Sequence, residues 1–231
     1  MQIVFNKAKL LEDQRVIGAD ISDSEDVIGY RVLKKDDPVG FVLGDITNCC
    51  QRFGRQAESC VVDGYLNHNA GFMVFELLLR NEDGSFADKT KILGQAYVWY
   101  DPKTRTVCYD NIEVPTKVKE ELKMGNKRQS GVSYDNFIKA VKKSAIAVTE
   151  NMICRGYPVD YVTTGYGYND LAISLQKVFG DPKDVGLAEH RGYMGYSDAK
   201  VRQFVLLDVQ KENSLSINNH EQDNCCDNVY G

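Results

Sequence analysis

The sequence predicts an α+β protein with a mixed, mostly antiparallel sheet flanked by helices. Three observations point there. Runs rich in β-branched and aromatic residues follow one another at 71–80, 92–101 and 106–114, joined by links short enough to force antiparallel pairing. A long amphipathic segment comes next and leads into another strand-like run at 159–165, which makes the helix a crossover between parallel strands. A shorter helix at 171–179 and a strand at 201–209 complete the pattern.

The elements follow in order. YRVLKK (30–35) reads as a strand and AESCVVDGYL (57–66) as a short helix. GFMVFELLLR (71–80) and ILGQAYVWYD (92–101) flank a segment in which Asn81 to Gly84 form a turn. Asp101-Pro102-Lys103-Thr104 is a second turn, with proline presetting φ, and TVCYDNIEV (106–114) is the third strand. Phe137, Val141, Ala145, Val148 and Met152, joined by Ile138 and Ile153, mark one face of the long helix, which Gly156 and Pro158 stop. VDYVTTG (159–165), LAISLQKVF (171–179) and VRQFVLLDV (201–209) supply the remaining strand, helix and strand. Trp99 and Tyr97 stand on the face opposite Tyr100 and read as core and rim.

One domain over 1–210 is expected, with a variable part at 1–70 and a core at 71–210, followed by an acidic, flexible tail at 211–231. The net charge of −5 argues against a general nucleic-acid or membrane binder. Seven cysteines without a CxxC pair, together with the absence of a signal-like or membrane-spanning run, fit a cytoplasmic protein with reduced thiols. No metal site is expected. His220, Cys225 and Cys226 lie in the tail, and adjacent Cys49 and Cys50, with Cys60 and His68, lack the usual zinc spacing.

The segment KRQSGVSYDNF (127–137) carries the functional signal. Gly131 permits a tight backbone, and Ser133 stands at the N-cap position of the long helix. Free amides and the helix dipole there attract an anion. Between Thr116 and Lys143 stand eight Lys or Arg against three Asp or Glu, a basic segment in an acidic chain. The same residues also make an ordinary capped helix. Ser133 stabilises such a start by about 1 kcal/mol without any ligand, and Lys139, Lys142 and Lys143 then form a solvated face.

Arg128-Gln129-Ser130-Gly131-Val132-Ser133 resembles the R/Q-x-x-G-x-G/A pyrophosphate loop of the GNAT superfamily, the general-control-related N-acetyltransferases. Asn169, Ala172, Leu175 and Gly180 match a second motif of that family, N-x-x-A-x-x-L-Y-x-x-x-G-F, while Gln176 and Asp181 replace its Tyr and Phe. The resemblance covers roughly 70–210 and marks the chain as a divergent member. It implies a GNAT-like acyl-CoA N-acyltransferase fold with acetyl-CoA as co-substrate, lying in a slot where strands 106–114 and 159–165 splay apart. Pyrophosphate would rest on Arg128, Gln129, Ser130, Gly131, Val132 and Ser133. Backbone amides at Ile112 and Val114 would meet the thioester, and Asn169 and Ala172 would complete the cofactor wall.

The implied reaction transfers acetyl by direct attack of an amine carried by a small molecule, an aminoacyl group or a protein lysine. Glu113 and Asp110 are the base candidates, and strand alternation places them on opposite faces. Tyr168 or Tyr166 would stand in for the acid missing at Gln176. Arg52, Gly54 and Arg55 are acceptor-site candidates, and His190 and Tyr193 belong to a loop able to close over substrate. Two other readings remain. One is a binding or structural module that keeps the fold without turnover. The other is a cysteine-dependent hydrolase using Cys49 or Cys50, with His68 as base and Asp45 or Asp63 orienting it.

Overall fold

The structure is a computed structural model that describes residues 16–20, 27–78, 90–123, 133–166, 169–183 and 202–211. The N-terminal half contributes β1 (Val16–Asp20), β2 (Val27–Val32), α1 (Leu43–Thr47) and α2 (Glu58–Leu66), followed by β3 (Ala70–Leu78) and β4 (Lys91–Asp101). Then come β5 (Thr106–Tyr109), α3 (Thr116–Lys123), α4 (Tyr134–Cys154), β6 (Tyr161–Gly165), α5 (Ala172–Phe179) and β7 (Gln203–Asp208).

The strands form one sheet in the order β1-β2-β3-β4-β5-β6-β7 among the described residues. Each neighbouring pair is antiparallel except β5 and β6, whose parallel register runs from Thr106↔Tyr161 to Tyr109↔Thr164. The α4 crossover accounts for that exception, since a parallel neighbour cannot be reached by a tight turn. The meander turn closes locally: Asp101 Oδ1 accepts the Lys103 N–H at 2.8 Å, and Arg105 adopts φ 52°.

Both sheet faces are covered, so β3 and β4 read as near-continuous apolar runs. Met73, Phe75, Ala96, Val98, Val107 and Tyr109 face α4. Phe72, Val74, Tyr97, Trp99 and Cys108 face the α1–α2 layer. That separates Tyr97 and Trp99 from Tyr100, which lies in the α4 core. Phe137, Ile138, Val141, Ala145 and Met152 form the buried stripe of α4, whereas Ile153 is 47% exposed and lies off it. Tyr109 Oη and Ser144 Oγ, 3.2 Å apart, tie α4 to β5.

One strand is shorter than the sequence suggests. Regular β5 ends at Tyr109, and beyond it Glu113 makes only an isolated bridge to Gln95 of β4. The first 32 residues also supply β1 and β2 to the sheet, so the N-terminal part is not an appendage to it.

Candidate active site

The parallel ladder between β5 and β6 ends where the Gly165 N–H donates to the Asp110 carbonyl at 2.6 Å. Beyond that point the two chains take different partners. Glu113 exchanges both backbone hydrogen bonds with Gln95 of β4, at 2.8 and 2.9 Å. The Tyr166 N–H turns instead to the carbonyl of Arg202, just before β7. The sheet therefore forks after Asp110 and Gly165, at the C-terminal ends of its two parallel strands.

Within the fork the β4–β5 register slips. Tyr109 faces Val98, and the Asp110 N–H reaches the Tyr97 carbonyl, yet Glu113 faces Gln95. Two steps along β4 match three along the chain after β5, which is a β-bulge at Asn111–Ile112. The bulge restarts the alternation, so Ile112 and Val114 enter the α4 core while Glu113 shares the face of its cross-strand partner Gln95. Asp110 points to that same face, where its Oδ2 accepts from Gln51 Nε2 at 3.0 Å. The expectation that Asp110 and Glu113 lie on opposite faces is thus overturned by one inserted residue.

The face they share is polar and largely closed to water. Asp110, Gln51 and Gln95 are buried. Gln95 Nε2 lies 3.4 Å from both Gln51 Oε1 and Cys49 Sγ. Asp170 reaches in from the turn after β6: its Oδ2 accepts the Val114 N–H at 3.0 Å, and its Oδ1 accepts from Lys119 Nζ of α3 at 2.6 Å. Burial, then the negative charge of Asp170, pushes the Glu113 carboxyl up to about 8, with Lys119 opposing and Asp110 adding to the rise.

The N-terminus of α4 stands beside this fork. Ser133 Oγ caps it by accepting the Asn136 N–H at 3.2 Å. Phe137 lies directly over Gly94, where a Cβ would fall 2.9 Å from the ring and 3.0 Å from the Glu113 carbonyl. Burial, with the nearby charge of Asp170, raises the half-buried Tyr134 phenol. Arg128, Gln129, Ser130, Gly131 and Val132 lie outside the described residues, as do Tyr168, His190, Tyr193 and the tail beyond Lys211.

Other sequence candidates have defined places. The Asn169 amide donates to Thr164 Oγ1 and to the Gly165 carbonyl, and its Oδ1 accepts the Leu171 N–H, so it fastens the end of β6 to the start of α5. Ala172 is half-buried in the first turn of α5. Gln176 is exposed and donates to Asp181 at 2.8 Å. Tyr166, 47% exposed, packs edge-on against Phe204. Arg52 pairs with Asp45 at 3.3 Å, Arg55 is exposed, and the Gly54 N–H donates to Glu58.

The thiol site does not assemble as the hydrolase reading requires. Burial pushes the Cys49 thiol up to about 11, the reverse of an activated nucleophile. His68 is exposed in the turn before the Ala70–Trp99 end of β3 and β4. Four strand steps separate Trp99 from Gln95, the residue beside Cys49, or about 13 Å. Asp45 is paired with Arg52, and Asp63 accepts from Tyr97 and Asn67. Among the described residues no cluster suited to a metal ion occurs, and no helix is long and apolar enough to cross a membrane.

Gln51, Gln95, Lys119 and Asp170 were not singled out by their sequence context. Gln95 sits within an apolar run, a signal in itself, since a buried amide in a strand needs partners. Gln51, Lys119 and Asp170 enter only through tertiary contacts.

No family model matches the chain, and no curated protein matches it. One solved structure is similar, the crystal structure of nourseothricin acetyltransferase, at 17% sequence identity and a TM-score of 0.25. The match covers 59% of this chain and 62% of that one.

Proposed function

We propose that the chain is an acyl-CoA-dependent N-acyltransferase, with acetyl-CoA as donor and an amine as acceptor, whose reacting groups meet at the fork between β5 and β6. The observation that carries this reading is the coincidence of three things at one point. The parallel strands part there, a capped helix start stands alongside, and two carboxyl groups are brought to one face by the bulge. A parting of neighbouring parallel strands at their C-terminal ends is where open α/β sheets receive ligands.

In this reading the pantetheine enters the fork, and the 128–133 segment receives the pyrophosphate on the amides before α4. The amine nitrogen forms a bond to the thioester carbonyl carbon and gives up a proton to Glu113. The carbonyl oxygen gains negative charge against the Ile112 amide; the Val114 N–H, expected from the sequence to share this task, is taken by Asp170 Oδ2. The C–S bond then breaks with its electron pair on sulfur as the carbonyl re-forms to give the amide, and the thiolate takes a proton from water to give CoA. A proton acceptor with affinity near neutral pH suits this task better than an ordinary carboxylate.

The direct test follows free CoA by chromatography while acetyl-CoA is incubated with a panel of small amines, aminoacyl compounds and lysine peptides. CoA release that depends on an amine, and falls at least ~100-fold in Glu113→Gln, is the expected result. Release that Glu113→Gln leaves unchanged would remove Glu113 from the mechanism. A second reading, a CoA-binding module without turnover, is favoured by Gln176, which replaces the acid of the resembling family and points toward Asp181. Acetyl-CoA binding with no release over the whole panel would select it.

A further inference from the structure

Gln95 lies within β4, in an otherwise apolar stretch, and is fully buried. Its amide nitrogen has two partners: Nε2 lies 3.4 Å from Gln51 Oε1 and 3.4 Å from Cys49 Sγ. Its amide oxygen has none among the described residues. A buried acceptor in this position has given up its hydrogen bond to water without a replacement, which calls for a donor from elsewhere.

Rotating the amide does not supply one. Gln51 Nε2 donates to the Asp110 carboxylate at 3.0 Å, and an ionised carboxylate can only accept. That turns Gln51 Oε1 toward Gln95, so the Gln95 amide must present its nitrogen there and keep its oxygen on the other side. The three side chains form a one-way chain, Gln95 to Gln51 to Asp110, whose open end is an acceptor.

The groups around that end have the same character. Glu113 is the cross-strand partner of Gln95 on the same face, so their Cβ atoms stand roughly 5 Å apart. Asp110 lies on that face too, and Lys119 is ion-paired with Asp170. Glu113 is half-buried where Gln95 and Asp110 are buried, so it forms the solvent-side edge of the cluster. Such a place suits a ligand that donates hydrogen bonds and carries positive charge, and it repels an anion.

We propose that Gln95 Oε1 positions the acceptor amine and makes the site specific for primary amines. The inference deepens the acyl-transfer reading and rests on it for the reaction, whereas binding of the ammonium ion does not depend on it. A nitrogen attacking the thioester here must serve two acceptors. One N–H gives its proton to Glu113 as the N–C bond forms, and a second is held by Gln95 Oε1, which aims the lone pair. After that proton has gone to Glu113 and the C–S electron pair to sulfur, the remaining N–H stays on the amide product. A primary amine brings both hydrogens. A secondary amine brings one and leaves Gln95 Oε1 buried without a donor.

Binding is tested on the full chain, labelled with nitrogen-15, by following the Gln95 side-chain amide, assigned by its loss in Gln95→Met. Gln95→Asn serves for the assignment if the methionine variant fails to fold. Butylammonium chloride should shift that resonance saturably, and tetramethylammonium chloride, a cation with no N–H, should not. No saturable shift with butylammonium, or an equal shift with both cations, would overturn the proposal.

Turnover supplies the second arm. Butylamine and diethylamine are isomers of similar basicity, and CoA release should favour butylamine at least ~10-fold in kcat/KM, a preference that shrinks in Gln95→Met. In that variant the KM for butylamine should rise by a similar factor while that for acetyl-CoA holds. Equal use of the two isomers by the parent chain would overturn the proposal and leave the acyl-transfer reading standing. If acetyl-CoA is not turned over, the acyl-transfer reading fails, while a shift selective for butylammonium still supports the amine site.

Discussion

The Gly165 N–H and the Asp110 carbonyl, 2.6 Å apart, are the last link of the parallel ladder between β5 and β6. The polar cluster of Gln51, Gln95, Asp110 and Asp170 is arranged around the point where that link ends. The chain after Asp110 stays with β4 through Glu113 and Gln95, and the chain after Gly165 goes to the side of β7. Asp170 then spans the gap.

The raised proton affinity of Glu113 must show in stability. In the unfolded chain Glu113 ionises near 4.5, and in the folded chain near 8. Between those values the unfolded state loses its proton first, so this group's contribution to stability falls as pH rises through that window. Glu113→Gln cannot titrate and escapes the loss. Denaturant unfolding at pH 5 and pH 8 should find the variant gaining on the parent by on the order of 2 kcal/mol across that interval, after allowance for solvent screening. A difference that is flat with pH would mean Glu113 is not buried against Asp170 as described.

Gly44 should tolerate no side chain. A Cβ there would lie 2.1 Å from the Gln51 carbonyl oxygen and 2.8 Å from Arg52 Cβ. The first of these atoms is backbone, so α1 or the 49–52 turn must move, and Gln51 moves off Asp110 with it. Gly44→Ala is expected to cost about 2–3 kcal/mol in urea unfolding. A cost under about 0.5 kcal/mol would show that this turn is not packed against α1 as described.

The cysteines should divide by burial. Cys154 is exposed, whereas Cys49 and Cys108 are buried, and burial raises both of these thiols. Brief alkylation of the native protein near pH 7.5, mapped by mass spectrometry, should modify Cys154 at least ~100-fold faster than Cys49 or Cys108. Rapid labelling of Cys49 would revive the thiol-based reading.

Most of the architecture was legible because it is written in periodicity. The meander, the α4 crossover and the final helix–strand pair are set by alternation, by the 137–141–145 stripe and by short turns, all local signals. β1 and α3 leave little trace in the sequence, because the first is five residues long and the second is a charged helix whose buried residues include Val118 and Leu122. The site was less legible for a specific reason. Nothing in DNIEV marks the extra residue at Asn111–Ile112, which exists only relative to β4, and that residue decides which face Glu113 occupies. Asp170 stands just before the helix expected at 171–179, and its hold on Val114 and Lys119 depends on contacts more than 50 positions away. Asn169, which resembles a cofactor-wall residue, hydrogen-bonds Thr164 and Gly165 at the end of β6 and Leu171 before α5.

The most direct test of the account is binding of acetyl-CoA, read as thermal unfolding of the full chain with and without it and checked by calorimetry. At about 100 times its Kd the ligand should stabilise the protein by about 2.7 kcal/mol. Arg128→Ala should shrink that gain, and Gly131→Val should nearly abolish it. Glu113→Gln should leave it intact. No stabilisation of the parent chain at millimolar acetyl-CoA would contradict the account at its centre.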